Sequence, residues 1–293
     1  MHRLRTCETA ILLLAFFAAT AKAADEPRLR RLTHDGHYKQ RPAWSPDGTR
    51  LVFARHEGET IFLYELNVAD GAERRLTVRD APEYDAVWSP DGRKLAFSQI
   101  SLSGSQGDVD VVLIDGAGVL TPFAVTEGRL SHQEWPAWSP DGAHLAFTST
   151  WSENQDVYTA ALDGGDRRQL TNHIGTDGHA AWTADGAEIV FASDRWGGLE
   201  IAAVPAEGGD VRRLTSSPGL DDYPAPSPDG RRIAFVSNRD GDYEIYVMDA
   251  DGGKPVNVSR SPGIDTYPAW MPDGRLTFVS QREDEFDIYV VEQ

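Results

Sequence analysis

Cysteine is all but missing: of 293 residues only Cys7 carries a thiol, and it lies close to the N-terminus. Beyond it no disulfide can form and no thiolate can serve as nucleophile or metal ligand, so stability rests on packing. Long apolar runs are missing as well. The unbroken run from Ala10 to Ala19 is half of the roughly 20 residues that a membrane-spanning helix needs, and no later stretch approaches it. Basic charge is scarce: 28 Lys and Arg stand against 46 Asp and Glu, a net charge of -18. Such a surface repels nucleic acid and anionic lipid and favours cations or a basic partner. Catalytic signatures are absent too. There is no G-x-S-x-G nucleophile elbow, no serine, cysteine or carboxylate pair stands out by motif, and no cofactor is called for.

What is present starts with a leader. Arg3 and Arg5 precede the apolar run, and Ala21-Lys22-Ala23 follows it, the order of a secretory signal peptide. The expectation is cleavage after residue 23, leaving residues 24–293 as one domain in the periplasm or secreted. Cys7 precedes the apolar run rather than sitting at the cleavage point, so no lipid anchor is expected.

The remainder is repetitive. "PAWSPDG" at 42–48 returns as "AVWSPDG", "PAWSPDG", "AAWTADG", "PAPSPDG" and "PAWMPDG". The third residues of these copies, Trp44, Trp88, Trp138, Trp182, Pro226 and Trp270, are spaced by 44, 50, 44, 44 and 44 residues. A fixed period in the forties marks a propeller or an array. Each unit reads as four short strands: the one ending at the Trp position, an "LAF"-type strand, a "DIY"-type strand and a short "RLT" run. Pro-Asp-Gly makes a tight turn between the first two. The chain ends after the third strand of repeat six, while an unmatched "RLRRLT" at 28–33 precedes repeat one. The expectation is an all-β, six-bladed propeller of four-stranded blades, its N-terminal strand closing the last blade and removing the open edge. The single 50-residue step reflects a longer segment at 99–110, of the kind that falls on a loop at a binding face.

Six in-phase copies of "P-A-W-S-P-D-G … L-A-F-x-S … D-I-Y" flanked by "R-L-T" resemble the TolB-type six-bladed propeller over almost the whole chain after the leader. The resemblance implies an exported propeller whose mouth receives a protein or peptide, as TolB's receives a peptidoglycan-associated lipoprotein. It extends only in part, because TolB carries an α/β domain before its propeller and about nine residues separate the expected cleavage site from "LT" here.

Aligned on one another, the repeats separate shared residues, which build blades, from deviant ones. Asp177, Asp221 and Asp265 precede the first strands' "PA" step by three residues in blades four to six, and Arg195, Arg239 and Arg282 follow the second strands; these are expected to pair on the rim. Blades one to three lack both members, with Lys39 and His56, Glu83 and Ile100, and Gln133 and Trp151 in their place. The position just before the "PA" step is the most varied: Arg41, Asp85, Trp135, His179, Tyr223 and Tyr267. Polar and aromatic groups converging on a concavity suit recognition, because rings give area at low entropy cost and charges fix orientation. Trp135, Trp151 and Trp196 map to the same face. The expected contacts for a cell-envelope protein or peptide partner are Lys39, Arg41, His56, Glu83, Asp85, Glu134, Trp135 and Trp151, with His179, Tyr223 and Tyr267 lining the rest of the mouth of a monomer. The alternative is a metal-assisted lyase or hydrolase of an extracellular polysaccharide, with ligands drawn from His37, His132, His173 and His179.

Overall fold

A computed structural model describes residues 28–77, 81–100, 109–123 and 131–292. The expected leader and most of the longer segment of blade two lie outside the described residues. Six four-stranded antiparallel sheets are present. Their first strands are Lys39–Trp44, Glu83–Trp88, Gln133–Trp138, Asp177–Trp182, Asp221–Pro226 and Asp265–Trp270. In the first five blades the four strands follow chain order. In the sixth, the fourth strand is Arg28–Arg31, paired antiparallel with Glu285–Glu292 so that Arg28 faces Glu292 and Arg31 faces Tyr289. The expected six-bladed ring with N-terminal closure is therefore the fold.

The second strands differ from simple alternation. In Arg50–Glu57 the run Leu51, Val52, Phe53, Ala54 is buried throughout, because each blade is covered by a neighbour on both faces and both sides of its inner strands must be apolar. Phe53, Phe97, Phe147, Phe191, Phe235 and Phe278 occupy one position in all six blades, and each is 0% exposed. Where the ring closes, Leu51, Phe53 and Leu66 of blade one pack with Val279, Ile288 and Val290 of blade six.

Four residues of the repeated heptad, Trp44, Ser45, Asp47 and Gly48 in the first copy, have a structural task. Ser45 Oγ donates to Asp47 Oδ1 at 2.6 Å and accepts from the Arg50 amide at 3.0 Å, while the Thr49 amide donates to Asp47 at 3.0 Å. Gly48 has φ 70°; a Cβ there would have room, so the glycine is required by backbone conformation rather than by space. Four of the five indoles tie blade to blade, Trp88 Nε1 being left without a hydrogen-bond partner: Trp138 Nε1 donates to Val87 O at 3.3 Å, Trp182 to Ala137 O at 3.1 Å and Trp270 to Ala225 O at 2.8 Å. Trp44 donates across the closure to Thr277 Oγ1 at 3.0 Å.

Candidate recognition site

All six first strands slip register at one place, between Gln40 and Ala43 in blade one and at the matching residues of the other five. The residue inside each slip is left-handed: Arg41 φ 42°, Asp85 59°, Trp135 56°, His179 55°, Tyr223 53° and Tyr267 52°. Such a conformation costs about 1–3 kcal/mol for a non-glycine residue and persists where the surroundings over-determine it. A bulge re-aims its side chain, and six of them in a ring send six side chains toward the axis.

There the side chains meet. The Arg41 guanidinium lies 3.9 Å from the Trp135 ring centre and donates to Asp85 O at 3.0 Å and Pro136 O at 2.7 Å. Trp135 packs edge-on against His179 at 4.5 Å and tilted against Tyr223 at 5.4 Å. His179 stacks on Tyr223 at 4.3 Å, and Tyr223 contacts Tyr267 at 4.7 Å. Asp222 Oδ1 lies 2.6 Å from His179 Nδ1 and orients the imidazole. Asp85 is 6% exposed, and burial pushes its carboxyl up to about 6 against the opposing pull of Arg41. Burial also raises the Tyr84, Tyr223 and Tyr267 hydroxyls, so all three remain neutral donors. Arg41, Trp135, Tyr223 and Tyr267 form one end of an axial cavity of about 310 Å³, lined further toward the Pro-Asp-Gly turns by Trp88, Trp138, Trp182 and Trp270.

Other expected contacts take different places. Lys39 and Glu83 are each 0% exposed. Lys39 Nζ bonds Asp287 Oδ1 at 3.0 Å, His37 O at 3.0 Å and the Asp35 carboxylate. Glu83 accepts from Gln99 Nε2 at 3.0 Å and from the Thr77 hydroxyl. Both lie inside the wall, beneath the mouth. Gln133 Nε2 donates to the Ser131 hydroxyl at 2.5 Å, so blades one to three keep bonding at this position with other residue types.

His56 packs 4.9 Å from Tyr38, and burial lowers its pKa. Glu134 accepts from Gln155 at 3.0 Å. Trp151 packs on Tyr158 at 5.7 Å with Arg167 4.1 Å from its ring centre, while Trp196 lies between Arg195 and Arg213. The three loop tryptophans therefore have separate neighbours.

The rim pairs form in two blades of the expected three. Arg195 Nη2 bonds Asp177 at 2.6 Å, and Arg239 Nη2 bonds both oxygens of Asp221 at 2.9 Å. In blade six the second strand runs on to Arg282, which pairs with Glu285 across a two-residue turn at Glu283 and Asp284, φ 52° and 65°. That hairpin holds Arg282 over Tyr289 at 5.3 Å. Both carboxylate oxygens of Asp265 and two guanidinium nitrogens of Arg282 are left buried without hydrogen-bond partners.

Asp222, Gln155, Tyr38 and Tyr84 join the site without having been expected there. The available signal for Asp222 was the acidic crowding of blade five, which reads as solvated turns. In the fold Asp221 belongs to Arg239, Asp222 to His179 and Asp240 to the Tyr246 hydroxyl. The histidines do not gather: His179 belongs to Asp222, and His173 lies 3.7 Å from Asp194. Among the described residues no three His, Cys, Asp or Glu side chains are grouped as a metal ion would require. The described residues at the mouth do not fit a metal.

The TolB beta propeller domain family matches residues 124–223 and 214–293. A TolB homologue of Chlorobium luteolum is 30% identical over 146 residues, 50% of this chain and 32% of its own length. The Tol-Pal system protein TolB of Bordetella pertussis is 33% identical over 125 residues, 43% of this chain and 27% of its own. The chain thus spans under a third of the length of these curated relatives. A structure assigned as TolB from Agrobacterium tumefaciens superimposes with TM-score 0.71 at 28% identity, covering 89% of this chain and 92% of that one. An oligogalacturonate lyase in complex with manganese, TM-score 0.62 and 18% identical over 90% of this chain and 92% of its own, shares the fold alone.

Proposed function

The chain belongs to the TolB β-propeller domain family, and from that premise we propose that it is an exported binding module of the cell envelope, periplasmic or secreted, which docks a protein or peptide over its mouth. The observation that carries this reading is the ring of six left-handed residues, which brings a cation, an indole and two phenols to one concavity with an imidazole and a buried carboxyl beside them. The rings are fixed by mutual stacking, so little rotamer entropy is lost on binding. Arg41, Asp85, Trp135, His179, Tyr223 and Tyr267 form the centre of the contact. Glu134, Trp151 and His56 extend it over blades one to three, and Lys39 and Glu83 act from beneath by holding the loops that carry it.

Photo-crosslinking in the native host tests this reading. A benzophenone residue replaces Trp151, with Tyr243, 41% exposed on blade five, as the control position. A discrete protein adduct from position 151 alone is expected, and its loss when Trp135 is also replaced in a folded protein. Equal adducts from both positions, or none from either, would overturn the reading.

A further inference from the structure

Grooves run between neighbouring blades on the Pro-Asp-Gly face, opposite the mouth, and of three such grooves one differs from the other two in charge. Between blades three and four a cavity of about 280 Å³ is lined by Asp141, Asp166, Asp185 and Glu207 against Arg168 and His144. Between blades four and five, one of about 450 Å³ carries Asp185, Glu188 and Asp229 against Arg232. Between blades one and two the cavity is about 630 Å³, and its charged lining is Arg50, Arg74, Arg93 and Lys94 against Glu65 and Asp115. In a chain of net charge -18 this groove is locally cationic.

Its two carboxylates are committed elsewhere. Glu65, 6% exposed, accepts from Arg74 Nε at 2.9 Å and lies 3.5 Å from Arg50 Nη1. Asp115 accepts from the amides of Ala117 and Val119, each at 2.9 Å, and so closes its own turn. Arg93 and Lys94 are exposed and have no ion-pair or side-chain hydrogen-bond partner among the described residues. Leu76, Leu95 and Ile114 supply an apolar floor. Trp88 completes it, with one face covered by Arg50 at 4.1 Å.

We propose that this groove binds an acidic peptide segment carrying a bulky apolar side chain, the side chain on the floor and the carboxylates on Arg93, Lys94 and the outer nitrogens of Arg50 and Arg74. Charge complementarity selects the ligand: an anionic segment is repelled by the rest of the surface and attracted here. The branched aliphatic floor and the guanidinium over Trp88 favour a peptide side chain over a sugar ring, which needs a free aromatic face to stack on. This site is separate from the mouth, and neither depends on the other.

The test is fluorescence anisotropy with a labelled Glu-Asp-Phe-Asp-Glu peptide at low ionic strength. Saturable binding is expected, weakened at least tenfold by the double variant Arg93→Glu, Lys94→Glu, by exchanging the peptide's phenylalanine for alanine, and by 0.5 M salt, where the Debye length falls to about 4–5 Å. The Gln-Asn-Phe-Asn-Gln peptide is expected not to bind. Arg93 and Lys94 are exposed, so the variant folds, and its crosslinking from position 151 stays unchanged. No saturable binding, equal affinity in the charge-reversed variant, or equal affinity for the neutral peptide would overturn the proposal. So would selective binding of trigalacturonate or of phosphatidylglycerol vesicles in place of the peptide.

Discussion

At Asp265 a carboxyl is fully buried with no well-formed hydrogen bond, and burial raises its pKa from 3.8 to about 6 against the opposing pull of Ser280, Ser259 and Arg282. A carboxyl whose folded pKa lies above its unfolded one favours folding fully while protonated in both states, below about pH 3.8, and loses that contribution as pH rises through about 6. Asp265→Asn is therefore expected to stabilise the protein at pH 7.5 by at most about 3 kcal/mol, since one pKa unit corresponds to about 1.4 kcal/mol. Near pH 4 the gain should vanish. Urea melts from pH 4 to 8 measure it, and an equal gain at both ends would refute the assignment. Some pH dependence should survive in the variant, because buried Asp85 titrates in the same window. The turn carboxylates work in the opposite sense. Asp47, held to about 2 by Ser45 and Thr49, contributes above its unfolded pKa and fails as pH falls toward 2.

Within each of blades three and four, the acid opening the third strand accepts from the hydroxyl that closes the blade's "RLT" run, as Glu200 does from Thr215 at 2.7 Å and Asp156 from Thr171 at 3.2 Å. At the ring closure Asp287 takes this part, joined to Thr33, Arg31 and the buried Lys39. Removing one member of a buried ion pair strands the other, which typically costs about 3–5 kcal/mol. Asp287→Ala should lose that much in urea denaturation, whereas the double variant Lys39→Met, Asp287→Met should lose much less. The strands, the turns and the closing "RLRRLT" were legible because six copies average out local noise. The bulges were not, since nothing in the side chains of Arg, Asp, Trp, His and Tyr signals a left-handed backbone that the ring imposes. The blade-six pair was misread for a related reason: Arg282 follows Ser280 by the same two residues as Arg195 follows Ser193, but the shorter hairpin takes Arg282 into the strand, where it makes no hydrogen bond to Asp265.

For the whole ring, comparison of the repeats with one another located the mouth, because the most varied position is the one that points at the axis. The same comparison flagged Lys39 and Glu83, but there oddness meant a substituted wall contact, and burial is invisible in a residue's deviation from its repeat. Closure also bears on association. Deleting residues 28–33 would bare the backbone of Glu285–Glu292 as an open edge, and size-exclusion chromatography should show oligomers or aggregates; a stable monomer would show that the strand is dispensable. The pairing of Arg28–Arg31 with the last described residues also fixes an order in time. Whether the chain leaves a ribosome or threads a translocation pore, its first strand emerges without a mate and its mate comes last. The ring can only shut once Glu285–Glu292 has emerged, so closure waits for the sixth blade even though the other five are each complete before it.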